Sequence, residues 1–221
     1  MKVLFVSMVA FETNASATIQ NKGIIRGLSA LNYDIDIVTL EPDQNAISFD
    51  DSMNDIKQLV NNTYYIKADW KYALLRAKKK NDKTKTGENN RRKLSGILLQ
   101  KIRVFIKKLY DQISIFDAQK INVKGISKIQ ADYSKYDLII SSSDPKSSHL
   151  LALRILEKSK NCKAKWIQYW GDPMLHDITR KSDWRDRIVK YYEKKLISKA
   201  DRVIYASPLT LKVQRDTFPD L

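Results

Sequence analysis

Residues 165–172 read Lys-Trp-Ile-Gln-Tyr-Trp-Gly-Asp, and this stretch indicates how the chain folds. Bulky side chains with few breakers before Gly171 are typical of a buried β-strand. The strand ends abruptly, because glycine permits a turn that a Cβ would resist and Pro173 cannot continue a hydrogen-bonded ladder. The acid Asp172 is therefore predicted to lie at the carboxyl end of a central strand.

Two interpretations of Asp172 stay open at this point. In open α/β sheets, ligands bind beyond the carboxyl ends of the strands, which favours a functional acid. Aspartate is also common in turns, where it caps the following segment, and taken alone the residue fits that structural role well. The rest of the chain has to decide between the two.

Strands and helices alternate from the start of the chain. Residues 2–9 are predicted to form a buried strand, residues 18–31 a helix, and Asp34–Leu40 a second strand. This order is a βαβ unit, which predicts a parallel sheet with a right-handed crossover. Gly23 and Gly27 are expected to let the helix approach the sheet closely, since neither has a Cβ.

The alternation continues to the end. Further strands are predicted at residues 64–67, 136–143 and 201–206, and further helices at 94–113, 118–129, 145–158, 183–198 and from 208 onward. Asp144 and Ser207 are each predicted to cap a helix that begins with a proline. The predicted fold class is α/β: one Rossmann-like, doubly wound, mainly parallel sheet flanked by helices, in a single domain over residues 1–221.

The positive charge is concentrated in one segment. The formal net charge of +15 comes from 40 basic and 25 acidic side chains, yet residues 71–108 alone hold 14 Lys or Arg and two acids. We therefore predict a balanced domain that carries one basic helical insertion, about residues 71–130. Nucleic-acid binding is disfavoured, because the charge is not spread over a face and no matching aromatic platform is evident.

The predicted helix 94–113 is amphipathic, and it allows two interpretations. Its apolar stripe either packs on the sheet, with the lysines solvated, or contacts a membrane that carries anionic lipid. Six basic residues are the candidates for holding such a membrane: Arg92, Lys93, Lys101, Arg103, Lys107 and Lys108.

Several classes of site are disfavoured. Cys162 is the only cysteine, so no intramolecular disulfide can form, and a reducing, cytoplasmic location fits. Neither G-x-G-x-x-G nor a P-loop is present, which argues against a bound dinucleotide cofactor. No metal constellation is visible. His149 is expected to be structural, whereas His176, four residues after Asp172, is a candidate for the same cleft.

Four stretches share a recognisable pattern. They are residues 1–7 with the strand Asp34–Leu40, residues 136–143, residues 166–173, and residues 192–207. Together they resemble the N-terminal domain of GT-B glycosyltransferases of the family 4-like group. The last stretch is the most specific, because Glu193 and Ala200-Asp201 match the family's E-x-x-x-x-x-x-A-D-x-V-I-x-x-S motif. The resemblance covers most of the chain except the basic insertion.

The resemblance implies transfer of a sugar from a nucleotide-sugar donor, the co-substrate, to a lipid-linked or polysaccharide acceptor in cell-surface glycan synthesis. The expected place is the cytoplasmic membrane face. Asp172 is expected near the reacting hydroxyl, as a polar orienter or base. The other residues expected at the cleft are Asn14, Ser16 and Thr18, which would contact substrate or donor phosphate, with Ser143, Asp144 and Gly171.

The chain departs from the family in two ways. Its first loop lacks the usual paired glycines, and Gly171 and Met174 replace the Arg and Trp of an R-D-P-W pattern. Family members also continue into a donor-binding domain that is absent from this chain, so the chain alone is not expected to transfer sugar efficiently. A donor domain in cis or a partner subunit would complete it. The rival interpretation is a non-catalytic Rossmann-like module that docks on a membrane or a partner protein.

Overall fold

The structure is a computed structural model that describes residues 1–75, 90–159, 161–177 and 180–221, without the side chains of residues 53, 54 and 90–100. It contains one sheet of six strands, all parallel, in the order β3-β2-β1-β4-β5-β6. The strands are β1 (Lys2–Val6), β2 (Asp34–Leu40), β3 (Asn62–Ile66), β4 (Leu138–Ser142), β5 (Lys165–Trp170) and β6 (Arg202–Tyr205). The predicted Rossmann-like α/β fold is confirmed.

Helices cover both faces of the sheet. The α-helices are α1 (Ser16–Ala30), α2 (Trp70–Leu75), α3 (Asn90–Ile113), α4 (Ser147–Lys158), α5 (Asp186–Ile197) and α6 (Pro208–Thr217). Two 3₁₀ helices, Asp51–Leu59 and Ala118–Lys128, complete the layers. The second of these occupies the span in which a helix is predicted, with tighter winding.

The core is divided by the sheet into two apolar clusters. Along β1, Val3 and Phe5 pack with α1, whereas Leu4 and Val6 pack on the opposite side with α4 and α5. This split follows from the strand period of two, which sends successive side chains to opposite faces. Strands β2 and β4 lie on either side of β1 and are parallel to it. The connections that lead into them therefore cross opposite faces of the sheet, and they diverge at the carboxyl ends of β1 and β4.

The two predicted helix caps have different outcomes. Ser207 caps α6 as predicted, because its hydroxyl accepts a hydrogen bond from the Thr210 N–H at 3.1 Å. The prediction for Asp144 is wrong: α4 begins at Ser147 and has no cap from its own loop. The Ser147 N–H donates instead to Asp117, at 2.9 Å, from a distant part of the chain.

Close approach of a helix to the sheet occurs at a different glycine from those predicted. A Cβ on Gly23 or Gly27 would meet no atom within 4 Å, so these glycines do not serve packing. At Gly125, in the second 3₁₀ helix, a Cβ would lie 2.7 Å from Cγ2 of Ile66. The bare backbone of Gly125 therefore allows this helix to lie against the end of β3.

Helix α3 leaves its apolar stripe in contact with solvent. Phe105 is 66% exposed and Leu109 is 48% exposed, and Ile102, Ile106 and Ile113 are exposed as well. The helix packs against α2, and the interpretation in which its stripe packs on the sheet is wrong. Within the described part of the chain, no helix is long and apolar enough to cross a bilayer.

Opposite stability changes are expected from alanine at two glycines. Gly125→Ala should lower the free energy of unfolding by roughly 1–3 kcal/mol, because its methyl group would overlap Ile66. Gly27→Ala should raise it by about 0.5–1 kcal/mol, since the site is exposed and alanine is the better helix former. Urea denaturation of both variants measures the two effects, and a Gly125→Ala protein as stable as the parent would contradict the packing argument.

Candidate functional site

A cleft of about 610 Å³ lies where the crossovers part, at the carboxyl ends of β1, β4 and β5. Its walls come from the segments that follow these strands and from the start of α1. The residues that line it include Val9, Ala15, Ser16, Ala17, Asp117, Asp144, Lys146, Asp172, Asp177 and Arg180. The cleft therefore gathers several charged side chains beside apolar ones, and its position is the one that open α/β sheets use for ligands.

Lys146 is the central charge of the cleft. Its side chain is only 11% exposed, and it forms ion pairs with Asp144 and, at 3.0 Å, with Asp177. Burial opposes a charged amine, but the two carboxylates outweigh it and raise the pKa of Lys146. The side chain therefore stays an ammonium group and ties together the loops after β4 and β5.

Asp144 and Asp117 sit in surroundings that favour the protonated carboxyl. Burial raises the pKa of Asp144, Lys146 opposes this shift, and the like charges of Asp172 and Asp177 add to it. Burial also raises the pKa of Asp117, whose two oxygens accept hydrogen bonds from the hydroxyl of Ser147 at 2.5 Å and from its N–H. Carboxyl groups of this kind can exchange protons nearer to neutral pH than ordinary ones.

The start of α1 faces the same space. Its N-cap residue, Ala15, offers no side-chain hydrogen bond to the first turn, in which Ser16 and Ala17 line the cleft. The first N–H groups of a helix have no partner within the helix and carry partial positive charge. This end of α1 can therefore accept an anionic or hydroxyl-rich ligand, although the glycines usual in a phosphate loop are absent.

The structure brings together three of the residues predicted for the site. Ser16, Asp144 and Asp172 all line the cleft, and Asp172 is exposed within it. Two others, Ser143 and Gly171, lie just behind its wall. Ser143 is fully buried, and its hydroxyl accepts a hydrogen bond from the Gly171 N–H at 3.1 Å, which joins the ends of β4 and β5.

Three predicted residues do not reach the cleft. Thr18 is fully buried in the first turn of α1. Asn14 is exposed outside the lining, with its N–H bonded to Ser48. His176 turns toward α6, where its Nε2 lies 3.0 Å from the hydroxyl of Thr217. Proximity along the chain does not fix the direction of a side chain in a turn, so spacing alone misplaced these three residues.

Sequence reasoning missed four charged residues of the cleft, Lys146, Asp177, Arg180 and Asp117. The first two lie next to residues that were predicted, and a lysine directly after Asp144-Pro145 was a usable signal. Arg180 is held by Asp186 at 2.5 Å, and Asp117 reaches the site from the end of the insertion. Asp117 depends on long-range packing that no local pattern reveals, whereas the partners of Arg180, Asp183 and Asp186, lie close to it along the chain.

Glu193, the first residue of the matched motif, holds the loop after β5 in place. Its buried carboxylate accepts hydrogen bonds from the N–H groups of Met174 at 2.8 Å and Leu175 at 2.9 Å, and from Gln214 at 3.1 Å. Burial raises the pKa of Glu193, and these hydrogen bonds oppose the shift. The loop that carries Asp172 and Asp177 is thereby anchored on α5.

His149 lies beneath the cleft as part of the core. Its ring stacks on Trp170 at 4.3 Å between centroids, and its Nδ1 lies 2.8 Å from the hydroxyl of Ser141, which also accepts from Trp166. Complete burial lowers the pKa of His149 to about 3, so the ring is neutral. Within the described residues, no group of three His, Cys, Asp or Glu side chains could hold a metal ion.

Comparison with known proteins adds little to this geometry. No protein-family model matches the chain, and no curated protein matches it significantly. Among solved structures, that of MT0777 aligns with 98% of this chain and 95% of its own, at 9% sequence identity and a TM-score of 0.41. A likeness this weak carries no argument, so what the site can do has to follow from its own residues.

We expect His149 to make stability depend on pH. The folded protein keeps this ring neutral down to about pH 3, whereas an unfolded chain takes up the proton near pH 6.5. Stability should therefore fall as the pH falls below 6.5, and the contribution of His149 between pH 7 and pH 4.5 should be roughly 2–3 kcal/mol. Urea denaturation at several pH values measures this slope.

The matched variants are His149→Asn and His176→Asn. Asparagine at position 149 retains a polar atom near Ser141 but cannot titrate. In this variant, the unfolding free energy should therefore change less steeply with pH, by the contribution of one proton. His176→Asn is the control, because it removes the same ring from an exposed position outside the core. Equal slopes for the parent and His149→Asn would contradict the argument.

Proposed function

We propose that the chain is the acceptor-side part of a sugar transferase, which acts with a donor-binding domain in cis or on a partner subunit. The observation that carries the proposal is the cluster of charged side chains in the cleft at the ends of β1, β4 and β5, where Asp172 is exposed beside Lys146 and Asp144. Resemblance of the sequence to family 4-like transferases supports the same assignment, because the matched stretches supply these strand ends.

Each part of the cleft has a role in this proposal. Asp172 is the base or orienter for the acceptor hydroxyl, since an exposed carboxylate can accept its proton. The start of α1, with Ser16, faces the donor phosphates. Lys146 fixes the loop geometry through Asp144 and Asp177 rather than contacting substrate directly, because most of its side chain is buried.

The proposed acceptor is a lipid-linked saccharide or a polysaccharide. The proposed place of action is the cytoplasmic face of the membrane, with peripheral attachment. A panel of nucleotide sugars, incubated with the completed enzyme and a lipid-linked saccharide extract, tests the proposal through acceptor-dependent release of the nucleotide. If no donor in the panel gives acceptor-dependent release, the binding module described next becomes the leading function.

A second candidate function rests on α3. A helix with exposed apolar residues at 102, 105, 106, 109 and 113, and with exposed lysines between them, fits a module that docks on a membrane surface. Among the basic candidates, Lys101, Lys107 and Lys108 are exposed, and Arg103 is half-buried. Arg92 and Lys93 belong to α3, but their side chains lie outside the described residues.

Replacement of Asp172 should separate activity from stability. In the completed enzyme, Asp172→Asn and Asp172→Ala should lower kcat by roughly 10²–10⁴-fold, because proton transfer from the acceptor hydroxyl loses its base. Thermal denaturation should show little change, since the side chain is exposed. The distant and exposed Asp220→Asn is the control. Unchanged turnover in both Asp172 variants would remove the residue from the mechanism.

Membrane docking through α3 should depend on anionic lipid and on salt. Each cation near such a surface contributes about 1 kcal/mol, so Lys101→Gln with Lys108→Gln should weaken binding to anionic vesicles about 30-fold. Phe105→Ser should weaken binding to the same vesicles without changing its salt dependence. Co-sedimentation at increasing salt measures both effects, and equal binding to neutral vesicles would refute the electrostatic contribution.

A further inference from the structure

A second cavity, of about 790 Å³, lies between helices that cover the α4 and α5 face of the sheet. It is formed by the 3₁₀ helix Ala118–Lys128, by α4 and by Tyr192 of α5. Its floor is apolar and consists of Phe116, Val123, Ile126, Leu150 and Tyr192. This volume is typical of pockets that bury a small molecule, and nothing in the proposed transfer reaction uses it.

The rim of the cavity is cationic. Lys120, Lys124, Arg154 and Lys158 surround the floor, against the single acid Glu157. Lys124 is neutralised by Asp69 at 2.8 Å, and Arg154 by Glu157 at 3.0 Å in an exposed pair.

The remaining two cations of the rim have no such partner. In the described part of the chain, neither Lys120 nor Lys158 forms an ion pair. The amine of Lys120 lies 5.1 Å above the ring of Phe116, and that of Lys158 approaches only the backbone carbonyls of Ile126 and Ile129, at 3.5 and 3.3 Å. An apolar floor beneath unpaired cations complements a molecule with an apolar chain and an anionic head.

A strip of exposed apolar side chains runs beside this cavity. Trp184 is 69% exposed and Tyr191 is 61% exposed, and Ile188 lies between them at helical spacing. Tyr191 packs edge-on against Tyr192, the cavity residue, at 5.4 Å. Aromatic residues of this kind are characteristic of surfaces that rest at the boundary of a bilayer. The strip therefore indicates that the source of the ligand is a membrane rather than solution.

We propose that this cavity binds one anionic phospholipid drawn from the bilayer. An acyl chain lies on the floor between Val123, Leu150 and Tyr192, and the phosphate is held by Lys120 and Lys158. Trp184, Ile188 and Tyr191 rest on the membrane from which the lipid comes. This site is separate from the sugar-transfer cleft, although Phe116 borders both, and it does not depend on the transfer reaction.

The test uses short-chain phospholipids below their micelle concentration, so that binding to the cavity is measured without a bilayer. Isothermal titration compares dihexanoyl phosphatidylglycerol, dihexanoyl phosphatidylcholine and glycerol 3-phosphate with the full chain. The anionic lipid should bind at least about tenfold more tightly than either of the others, because only it has both a chain and an unneutralised phosphate. Equal affinity for glycerol 3-phosphate would overturn the proposal in favour of a simple anion site.

Two variants place the binding in the cavity. Lys120→Gln with Lys158→Gln removes the unpaired cations, and Ser127→Trp fills the space. Each should weaken binding of the anionic lipid by at least about tenfold. The control, Lys199→Gln with Lys212→Gln, removes the same charge from exposed positions outside the cavity and should leave the affinity unchanged. Circular dichroism establishes that each variant is folded, and loss of binding that is equal in the control would overturn the assignment.

Docking of α3 and filling of the cavity are distinguished by the same titration. Lys101→Gln with Lys108→Gln should leave the affinity for the monomeric lipid intact, since neither residue lines the cavity. Vesicle binding alone would change in that variant. If it also lost the monomeric lipid, α3 would be the binding site and the cavity would not.

Discussion

The arrangement of β1 between β2 and β4 is the constraint on which the rest of the molecule depends. Because both neighbours are parallel to β1, each must be reached by a crossover, and the two crossovers occupy opposite faces of the sheet. They cannot both cover the carboxyl ends of β1 and β4. The opening left there is the cleft, so the strand order fixes the position of the cleft whichever side chains line it.

Two acids, Asp117 in the cleft wall and Glu193 behind it, hold the surrounding backbone in place. Asp117 takes the role of a cap for α4, and Glu193 fixes the backbone that follows β5. Each carboxylate satisfies N–H groups that the loops cannot satisfy themselves, which would otherwise cost about 1–3 kcal/mol apiece. The exposed acid Asp172 is thus carried by a loop whose course is fixed by a side chain of α5.

The sequence predicted what depends on local periodicity and failed where distant groups compete. Alternating apolar residues located the six strands, and a serine before proline located the start of α6. Asp144 did not cap α4, because Asp117 reaches that position through the folded chain. The amphipathic pattern of α3 showed that an apolar face exists, but no pattern in one segment can show whether another segment covers it. Asp117 was missed for the same reason, since its partner Ser147 lies in a distant part of the chain.

The attachment of α3 has a mechanical consequence. The helix has 24 residues, which makes it about 36 Å long, and at its far end Arg185 donates hydrogen bonds to the carbonyls of Asp111 and Ser114. Immediately beyond that end, Phe116 and Asp117 form a wall of the cleft. The end of α3 is thus held directly beside a wall of the cleft. A ligand that displaced α3 would therefore alter affinity at the cleft, and occupation of the cleft would alter the affinity of that ligand by the same factor.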